Sequence, residues 1–286
     1  MPELPEVETI RRGLEPVLVG RKIANVEVRA PKLFEGKPAQ VVGHEITAVR
    51  RNGKLLVLDL AGDNLLTIHL KMTGQLIWLG SGDRSVMGGH PEKAYLETLP
   101  HKHTHIIIKL DDGSTLYFND LRKFGRMSVV AKKDFDSLAF IGKLGPEPLE
   151  PVFTSEYLAE RLAKHPKQPL KSFLLDQTNI AGLGNIYADE SLFRAAILPY
   201  RTCSDLSSEE IVALYKAIKE TLEVALEHGG SSSKDYLTAV GERGTFLAVA
   251  NVYHRTGLAC NRCHIGVIER MKIGGRSTHF CPICQK

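Results

Sequence analysis

The 286-residue sequence contains no apolar run that approaches the roughly 18 residues of a membrane-spanning helix. Its first residues also lack the basic and then apolar regions of a signal peptide, because Glu3, Glu6 and Glu8 occupy them. No internal repeat and no low-complexity tract is present. These absences argue against membrane, secreted and repeat proteins, and we expect a cytoplasmic protein without a membrane partner.

Neither sign of charge dominates, and cysteine is scarce. The formal net charge is +4, which permits a nucleic-acid partner without requiring one. Hydrophobic residues make up 43% and charged residues 24%, as in an ordinary soluble protein of one large domain or two. The five cysteines are not expected to form disulfides in a reducing cytoplasm.

Four of those cysteines are nonetheless spaced as metal ligands. Cys260 and Cys263 form one Cys-x-x-Cys pair, and after seventeen residues Cys281 and Cys284 form another. This spacing is typical of a zinc ribbon, in which two knuckles complete a closed tetrahedron, so one structural Zn²⁺ is predicted. Four unpaired thiols or a thioredoxin-type redox pair are the alternatives. Cys203 has no partner in the sequence and is predicted to be inert.

The first residues offer a nucleophile. If Met1 is removed, Pro2 has a secondary α-amine with a pKa of about 7.8, against about 10.4 for lysine, so part of it is neutral at pH 7. Such an amine forms a charged iminium with an aldehyde-level carbon, and Glu3 beside it can act as a general acid or base. The alternative is that Pro2 and Pro5 merely begin a helix, because proline tolerates the first turn.

Hydrophobic periodicity predicts an α+β protein. Apolar residues recur at helical spacing over residues 6–19, ahead of Gly20. Short β-rich runs follow, separated by turn signals such as Asn52-Gly53, and they predict an antiparallel sandwich. The predicted strands span residues 23–28, 46–50, 55–60, 65–70, 75–79, 105–110, 116–118 and 125–130.

Three prolines within residues 144–151 interrupt this pattern and predict a domain boundary. Four helices are predicted after it, and the last has a Ser207-x-x-Glu210 capping box at its start and Gly229-Gly230 at its end. The predicted helices span residues 155–164, 170–176, 185–195 and 207–228. The predicted domains are a catalytic β-sandwich (1–145), a linker (146–152), a helical domain (153–250) and a zinc finger (251–286).

A basic hairpin is predicted inside the zinc ribbon. Arg270, Lys272 and Arg276 surround the turn sequence Gly274-Gly275. Phosphate neutralisation dominates nucleic-acid affinity, so a basic hairpin of this kind favours a nucleic-acid contact. A solvated charged loop is the alternative.

The chain begins with MPELPEVETI, and two later segments, residues 177–190 and 274–285, also have a recognisable pattern. All three resemble segments of the formamidopyrimidine-DNA glycosylases, a family of bifunctional DNA repair enzymes. The opening string MPELPEVETI is similar to the amino terminus of that family. Residues 177–190 resemble its helix–two-turns–helix, in which Gly182 and Gly184 allow a phosphate to approach the start of a helix at Asn185. Residues 274–285 resemble its zinc-finger signature. The segments keep their order over nearly the whole chain, and together they indicate membership of the family.

The resemblance implies roles for further residues. Lys54 matches an active-site lysine, and Met72, Arg122 and Phe124 match the residues that fill the gap left by a flipped-out nucleotide. His103 matches a histidine that touches DNA. Taken alone, Met72 and Phe124 could be core residues and His103 an exposed residue at a strand edge. The implied catalytic residues are Pro2, Glu3, Lys54 and Arg276. The implied DNA-binding residues are His69, Met72, His103, Arg122, Phe124, Lys171 and Asn185.

The activity implied by the resemblance is the removal of oxidised purines (8-oxoguanine and formamidopyrimidines) from double-stranded DNA through a Pro2 iminium, followed by β,δ-elimination. The implied protein is a nucleoid-associated monomer with one zinc ion. An endonuclease VIII-type enzyme for oxidised pyrimidines is the first alternative, although Leu4 and the sequence Val7-Glu8-Thr9 favour the purine branch. A non-catalytic zinc-ribbon DNA-binding protein is the second.

Two features depart from the family pattern, and one further segment is predicted to read the lesion. Residues 80–100 are longer than expected between two strands, and we predict an inserted surface loop. His254 occupies a position where the family commonly has glycine. The Gly- and Ser-rich residues 229–246 are predicted to read the lesion, as mobile loops on a rigid scaffold often do.

Overall fold

The computed structural model describes residues 1–81, 84–89, 98–231 and 244–286. The chain forms two compact units. The N-terminal unit comprises Met1–Gly142 with His228–Thr245, and the C-terminal unit comprises Lys143–Glu227 with Phe246–Lys286. Helices and antiparallel sheets are both present, so the predicted α+β class is confirmed. The predicted domain bounds 1–145, 153–250 and 251–286 stay a proposal about folding units.

The described residues of the N-terminal unit form one α-helix and two five-stranded sheets, whose strands run in the orders β1-β8-β9-β6-β7 and β2-β10-β5-β4-β3. Every pairing between these strands is antiparallel except that of β10 with β2. Leu14 of the helix, Leu58 of one sheet and Phe118 of the other share one buried core. The elements are α1 (Leu4–Leu18), β1 (Ile23–Val28), β2 (Phe34–Glu35), β3 (Ile46–Asn52), β4 (Leu55–Leu60), β5 (Asn64–His69), β6 (Gly74–Leu79), β7 (Ser85–Gly89), β8 (Thr104–Leu110), β9 (Thr115–Asp120) and β10 (Arg126–Ala131).

Helix α1 begins two residues earlier and ends one residue earlier than the predicted span of 6–19. Pro5 fits its first turn because proline presets a helical φ and lacks only an N–H that has no partner there. Ile10 and Leu14, four residues apart, are buried on the core face as the periodicity predicts. Gly20 follows the helix with φ +83°, a conformation that glycine adopts without strain.

Two short strands were not predicted. β2 has only two residues, and β7 lies inside residues 80–100, which were predicted to be a surface loop. That prediction is wrong for β7, which pairs with β6 along its whole length. The sequence of β7 ends in two glycines and lacks a strand signature, but Gly88 is needed because a Cβ there would lie 2.3 Å from Ile10 Cγ1. Residues 82–83 and 90–97 of the predicted loop lie outside the described part of the chain.

The C-terminal unit contains, in its described residues, five α-helices and a two-stranded hairpin. The predicted capping box is confirmed, because Ser207 N–H donates to Glu210 Oε2 (2.9 Å) and Glu210 N–H donates to Ser207 Oγ (3.3 Å). Phe153, Leu174 and Tyr187 lie in its buried core. The elements are α2 (Ser155–Ala163), α3 (Leu170–Leu175), α4 (Asn185–Arg194), α5 (Ser208–Glu227), α6 (Phe246–Val249), β11 (Glu269–Ile273) and β12 (Arg276–Phe280).

The proline-rich residues before α2 are fixed to the turn between α3 and α4. Gly145 N–H donates to the carbonyl of Gln177 (2.8 Å), and a Cβ on Gly145 would lie 2.5 Å from the backbone of Asn179. Only glycine allows this close approach. Among the described residues, no helix combines the length and the apolar character needed to cross a membrane.

Candidate functional site

The start of the chain is held in place rather than frayed. Pro2 is buried and Glu3 is 4% exposed, directly ahead of α1. The N–H of Glu3 donates to Glu6 Oε2 (2.7 Å), and Glu6 is itself 1% exposed. The other oxygen of Glu6 accepts from the N–H (2.7 Å) and the Oγ (2.8 Å) of Ser231. One carboxylate therefore fixes both the predicted nucleophile segment and the first residues of the segment 229–246.

Met1 decides whether Pro2 can act as a nucleophile. Met1 is 44% exposed and precedes the buried Pro2. While Met1 is attached, the Pro2 nitrogen belongs to an amide, whose lone pair is delocalised into the carbonyl. Removal of Met1 converts this nitrogen into the secondary amine that the predicted chemistry requires.

Lys54 lies in the tight turn between β3 and β4, directly after Gly53. Gly53 is the first residue of this two-residue turn and has φ +57°, a conformation that glycine adopts without strain. Burial, together with the charges of Lys71 and Lys54, lowers the pKa of His69 to about 3. His69 Nδ1 accepts the N–H of Lys71 (3.0 Å), so the proton of the neutral ring is on Nε2. The structure thus brings Lys54 close to a neutral hydrogen-bond donor, His69.

The three predicted gap-filling residues lie on two loops. Met72 is half-buried in the loop from β5 to β6, whereas Arg122 and Phe124 are exposed in the loop from β9 to β10. Phe124 is 52% exposed, and the Arg122 guanidinium lies 4.7 Å from its ring centroid. A large exposed aromatic ring with a stacked cation is able to insert into a base stack.

Asp120, at the end of β9, locks these two loops together. Its carboxylate accepts hydrogen bonds from Thr73 Oγ1, from Arg122 N–H (3.1 Å) and from Gly125 N–H (2.7 Å). Asp120 is fully buried, so the hydrogen bonds are not weakened by competing water. Because Thr73 directly follows Met72, one carboxylate fixes the backbone beneath all three predicted gap-filling side chains.

The two histidines of the sequence Lys102-His103-Thr104-His105 have different environments. His105 is buried, its Nε2 lies 2.8 Å from the carbonyl of Asp120, and burial lowers its pKa. His103 is half-buried at the start of the β8 region, and its N–H donates to His101 Nδ1 (3.1 Å). His105 is therefore a structural residue, and His103 remains the predicted DNA contact.

Lys171 is fully buried in the C-terminal unit. Its ammonium forms an ion pair with Asp189 and donates to the carbonyl of Asn185 (3.2 Å). The second oxygen of Asp189 accepts from the N–H (3.0 Å) and lies 3.1 Å from Nδ1 of His279. This network joins α3, α4 and β12. The ammonium of Lys171 is enclosed by protein, so its predicted role in DNA binding requires an indirect route through Asn185.

The turns between α3 and α4 present the start of α4. Gly182, with φ +82°, donates its N–H to Gln177 Oε1 (2.9 Å). Gln177 Nε2 donates in turn to the carbonyl of Leu183 (2.8 Å). Gly184 is the N-cap and has no side chain to shield the helix start, where the helix dipole is positive. Asn185 begins the helix, and its Nδ2 donates to the carbonyl of Ser277 (3.0 Å).

The predicted basic hairpin is confirmed as β11 and β12. Gly274 and Gly275 form its turn with φ of +54° and +76°, as a type I′ turn requires. Arg270, Lys272 and Arg276 are all exposed on it. The hydrogen bond from Asn185 to the residue after Arg276 holds this basic hairpin beside the start of α4.

The four ribbon cysteines have the geometry of a tetrahedral metal site. Their Sγ atoms all lie within 4.8 Å of one another. The closest pairs, Cys260 with Cys284 and Cys263 with Cys281, are 3.6 and 3.9 Å apart. Tetrahedral Zn–S bonds of about 2.3 Å would place the sulfurs about 3.8 Å apart. The cluster can therefore bind one metal ion.

The surroundings of the four sulfurs also fit a cation. Gly266 N–H donates to Cys263 Sγ (3.3 Å), and a Cβ on Gly266 would lie 2.6 Å from Cys281 Sγ. Burial, with the neighbouring sulfurs, raises the pKa of the Cys284 thiol to about 12. A fourth thiolate is thus stable at neutral pH only beside a positive charge.

Comparison with known proteins identifies the family. The model of the formamidopyrimidine-DNA glycosylase N-terminal domain matches residues 1–127, and that of the H2TH domain of the same family matches residues 144–236. The formamidopyrimidine-DNA glycosylases of Carboxydothermus hydrogenoformans and Geobacillus kaustophilus are 43% and 42% identical to this chain, each over 100% of both sequences. The chain belongs to the formamidopyrimidine-DNA glycosylase family. It is therefore a DNA glycosylase of base excision repair.

Solved structures of family members have the same fold. The Fpg protein of Thermus thermophilus has a TM-score of 0.85 and 41% identity, covering 99% of this chain and 98% of that one. The Lactococcus lactis Fpg in complex with an abasic site containing DNA has a TM-score of 0.86 and 35% identity, covering 99% of both chains. The same Lactococcus lactis protein in complex with an oxidized pyrimidine containing DNA has a TM-score of 0.86 and 36% identity, covering 100% of both chains.

His254, the departure from the family pattern noted in the sequence, has φ +59°. Glycine adopts this left-handed conformation without strain, whereas a residue with a side chain does so less readily. The exposed ring of His254 lies 4.7 Å from that of Tyr253, so the side chain is partly supported by stacking.

Buried carboxylates are the site residues that the sequence analysis missed. Glu6, Asp120 and Asp189 each fix a segment that carries a predicted functional residue. Glu190 does the same for the residues before the zinc ribbon, because it accepts the N–H of Val252 (2.8 Å). For Asp120 the available signal was an acidic residue at the start of a motif that is otherwise basic or apolar, two residues before Arg122.

We expect the replacement of Cys284 by serine to weaken zinc binding by about tenfold or more, because the closed four-thiolate shell is broken. Competition with a chromophoric chelator measures the affinity. The matched control is Cys203→Ala, since Cys203 is the one cysteine outside the cluster. The control should bind one zinc ion per chain, and an unchanged affinity in Cys284→Ser would contradict the assignment.

The low pKa of His69 predicts a loss of stability in mild acid. The unfolded chain takes up this proton near pH 6.5, but the folded chain does so only near a pKa of about 3. Between these values the unfolded state binds more protons, so the free energy of unfolding falls as the pH falls. His69→Gln should show a smaller loss than wild type between pH 7 and pH 5 in urea unfolding. His165→Gln in the other unit is the control, and an equal change in both variants would contradict the assignment.

Proposed function

We propose that this glycosylase removes oxidised purines, namely 8-oxoguanine and formamidopyrimidines, from duplex DNA and then cuts the strand at the abasic site. The observation that carries the proposal is the fixed, buried start of the chain, where Pro2 and Glu3 are adjacent and Glu6 holds the Glu3 N–H. A nucleophile and a general acid on one rigid segment are what a Schiff-base glycosylase needs. Family membership supplies the reaction class.

In the first step, the lone pair of the Pro2 nitrogen attacks C1′ of the damaged nucleotide. The bond between C1′ and the base breaks, and the base leaves with that electron pair and takes up a proton. The attack leaves the nitrogen cationic, so it first loses its proton, which the departing base takes up. The restored lone pair then expels the ring oxygen O4′, which receives a proton from Glu3, and an iminium forms. Because Pro2 is a secondary amine, this iminium has no N–H to lose and stays charged as an electron sink.

In the second step, a proton leaves C2′, its electrons flow into the iminium, and the bond from C3′ to the phosphate oxygen breaks. In a further elimination a proton leaves C4′, its electrons flow into the conjugated iminium, and the bond from C5′ to its phosphate oxygen breaks. Water then hydrolyses the iminium to release Pro2. We assign Lys54 to the first elimination and Arg276 to the second. A guanidinium does not release a proton at neutral pH, so Arg276 acts by stabilising the leaving phosphate.

Residues of both units are proposed to contact the DNA. Lys54, Asn185 and Arg276 bind phosphates, supported by the positive start of α4 and by the exposed basic hairpin. His69 and His103 add hydrogen bonds, and Lys171 acts by holding the carbonyl of Asn185. Met72, Arg122 and Phe124 fill the space left by the extruded nucleotide, which offsets a cost of a few kcal/mol. Zn²⁺ in the four-cysteine site is structural, since no position is open for water.

A second candidate is the excision of oxidised pyrimidines, favoured by the Lactococcus lactis complex with an oxidized pyrimidine containing DNA. Leu4 and the sequence Val7-Glu8-Thr9 favour the purine branch. The segment predicted to read the base includes residues 232–243, which lie outside the described chain. We also propose that the protein acts as a monomer and that it is located in the cytoplasm, where it associates with the nucleoid DNA.

Borohydride should reduce the iminium and leave the wild-type protein covalently attached to abasic DNA, a product visible on a denaturing gel. Pro2→Gly should weaken trapping, because a primary amine replaces the proline nitrogen. Glu3→Gln should slow base release by about a hundredfold or more while sparing DNA affinity. Pro5→Ala is the matched control and should trap like wild type.

The intact mass of the same active preparation should be lower than that of the full sequence by one methionine residue. Active protein that keeps Met1 would exclude Pro2 as the nucleophile. Wild type that binds DNA tightly without forming an adduct would leave a non-catalytic DNA-binding protein as the better explanation.

A panel of duplexes with single lesions tests the base preference. We expect excision of 8-oxoguanine opposite cytosine to be about tenfold or more faster than excision of thymine glycol, the difference that contacts to one base can provide. Single-turnover rates make the comparison independent of product release. Excision of thymine glycol with 8-oxoguanine left intact would reverse the preference.

A further inference from the structure

A shielded guanidinium links α1 to the turn that carries Lys54. Arg51, near the end of β3, has a side chain that is only 12% exposed. Its Nε lies 3.2 Å from Glu8 Oε2, and its Nη1 donates to the carbonyl of Gly53 (2.9 Å). The second contact is made directly to the residue before Lys54. Arg51 therefore joins the helix that follows Pro2 and Glu3 to the turn that contains Gly53 and Lys54.

Glu8 is a firm anchor for this link. It lies in the second turn of α1, is 13% exposed, and accepts hydrogen bonds from Arg11 (3.0 Å) and Arg12 (2.9 Å). Burial raises its pKa, but the hydrogen bonds from Arg11 and Arg12 and the charges of Arg11 and Arg51 outweigh this, so the pKa of Glu8 lies below its usual value. Glu8 is accordingly ionised at working pH and fixed on the helix surface.

We propose that Arg51 is a positioning residue, which sets Lys54 relative to the Pro2 helix for the elimination step. The inference rests on the proposed function, in which Lys54 assists the first elimination. The two-residue turn of Gly53 and Lys54 can hinge about its ends, and the Arg51 contact to the Gly53 carbonyl restricts that motion. Displacement of a catalytic group by about 1 Å can cost up to about a hundredfold in rate.

The geometry requires a guanidinium rather than an ammonium. The planar fork of Arg51 sends Nε toward Glu8 and Nη1 toward the carbonyl of Gly53, in two fixed directions. A lysine at this position could keep the ion pair with Glu8, but a single ammonium on a flexible chain would not hold both partners. Arg51→Lys thus separates loss of the positioning contact from loss of charge.

The preceding residue, Arg50, provides a matched control on the same strand. Its guanidinium forms an ion pair with Asp59 of β4, with Nη2 2.7 Å from Oδ1, and lies 5.7 Å from the ring centroid of Phe135. Side chains alternate along a strand, so Arg50 and Arg51 point to opposite faces. Arg50→Met removes an ion pair of similar type without touching the Gly53 carbonyl.

The test uses the full-length protein and a duplex with a preformed abasic site. Single-turnover strand cleavage should be slower by about tenfold or more in Arg51→Met, slower by a smaller factor in Arg51→Lys, and within about twofold of wild type in Arg50→Met. Borohydride trapping and DNA affinity should stay near wild type in all three. A thermal melt monitors folding, and if Arg51→Met does not fold, Arg51→Lys supplies the comparison.

A double variant decides whether Arg51 acts through Lys54. If it does, Arg51→Met combined with Lys54→Met should cleave no more slowly than Lys54→Met alone, because the group to be positioned is gone. A further loss in the double variant, or wild-type cleavage by Arg51→Met, would overturn the inference. Absence of trapping and cleavage in wild type would instead overturn the proposed function itself.

Discussion

The hydrogen bond from Glu3 N–H to the buried carboxylate of Glu6 is the constraint that holds the proposed catalytic residues Pro2 and Glu3 in place. The first residues of most domains are poorly ordered, whereas a nucleophile must be held within a fraction of an ångström of its target. Glu6 resolves this conflict within one helical turn. Glu6 also accepts hydrogen bonds from the backbone N–H and the side-chain Oγ of Ser231. The start of the chain and a segment 225 residues after Glu6 are therefore held by the same carboxylate. Displacement of either segment therefore perturbs the other through a single carboxylate.

In the C-terminal unit, buried charges fix in the same way the segments that are proposed to bind phosphate. An ion pair as deeply buried as that of Lys171 with Asp189 costs desolvation free energy, and it is stable only because the remaining oxygen and proton positions are also satisfied. Asp189 accepts a hydrogen bond from the backbone N–H of His279 and lies within hydrogen-bond distance of its Nδ1. Lys171 also donates to the carbonyl of Asn185. The result is a fixed relation among α3, the start of α4 and the basic hairpin. Removal of one partner would leave an uncompensated charge in the core, which is far more destabilising than replacement of the pair as a whole.

The sequence predicts the regular elements well because their signals are local. The apolar spacing of α1, the turn at Asn52-Gly53 and the capping box at Ser207 each depend on residues within a few positions of one another. The cysteine cluster is predictable for the same reason, with metal geometry supplying the one long-range contact. β7 was not predicted because its glycines are required by contacts with other elements, Gly88 by its contact with Ile10 of α1 and Gly89 by its contact with the backbone of β6. The anchoring roles of Glu6 and Asp120 were not predicted, because the sequence does not distinguish an acidic residue that is solvated from one that is buried beneath a loop.

A DNA-binding surface has particular reason to use buried carboxylates as anchors. An exposed carboxylate would repel phosphate, but one that is buried and fully hydrogen-bonded has its charge balanced by N–H dipoles and nearby cations. Asp120 and Glu190 are balanced mainly by backbone N–H groups, and Glu8 is balanced by arginines. A charged acceptor forms stronger hydrogen bonds than an amide would, so each can hold a loop that has no regular structure of its own. The cationic and aromatic side chains that such loops display remain available to the nucleic acid, while the acidic groups that hold them lie beneath the protein surface.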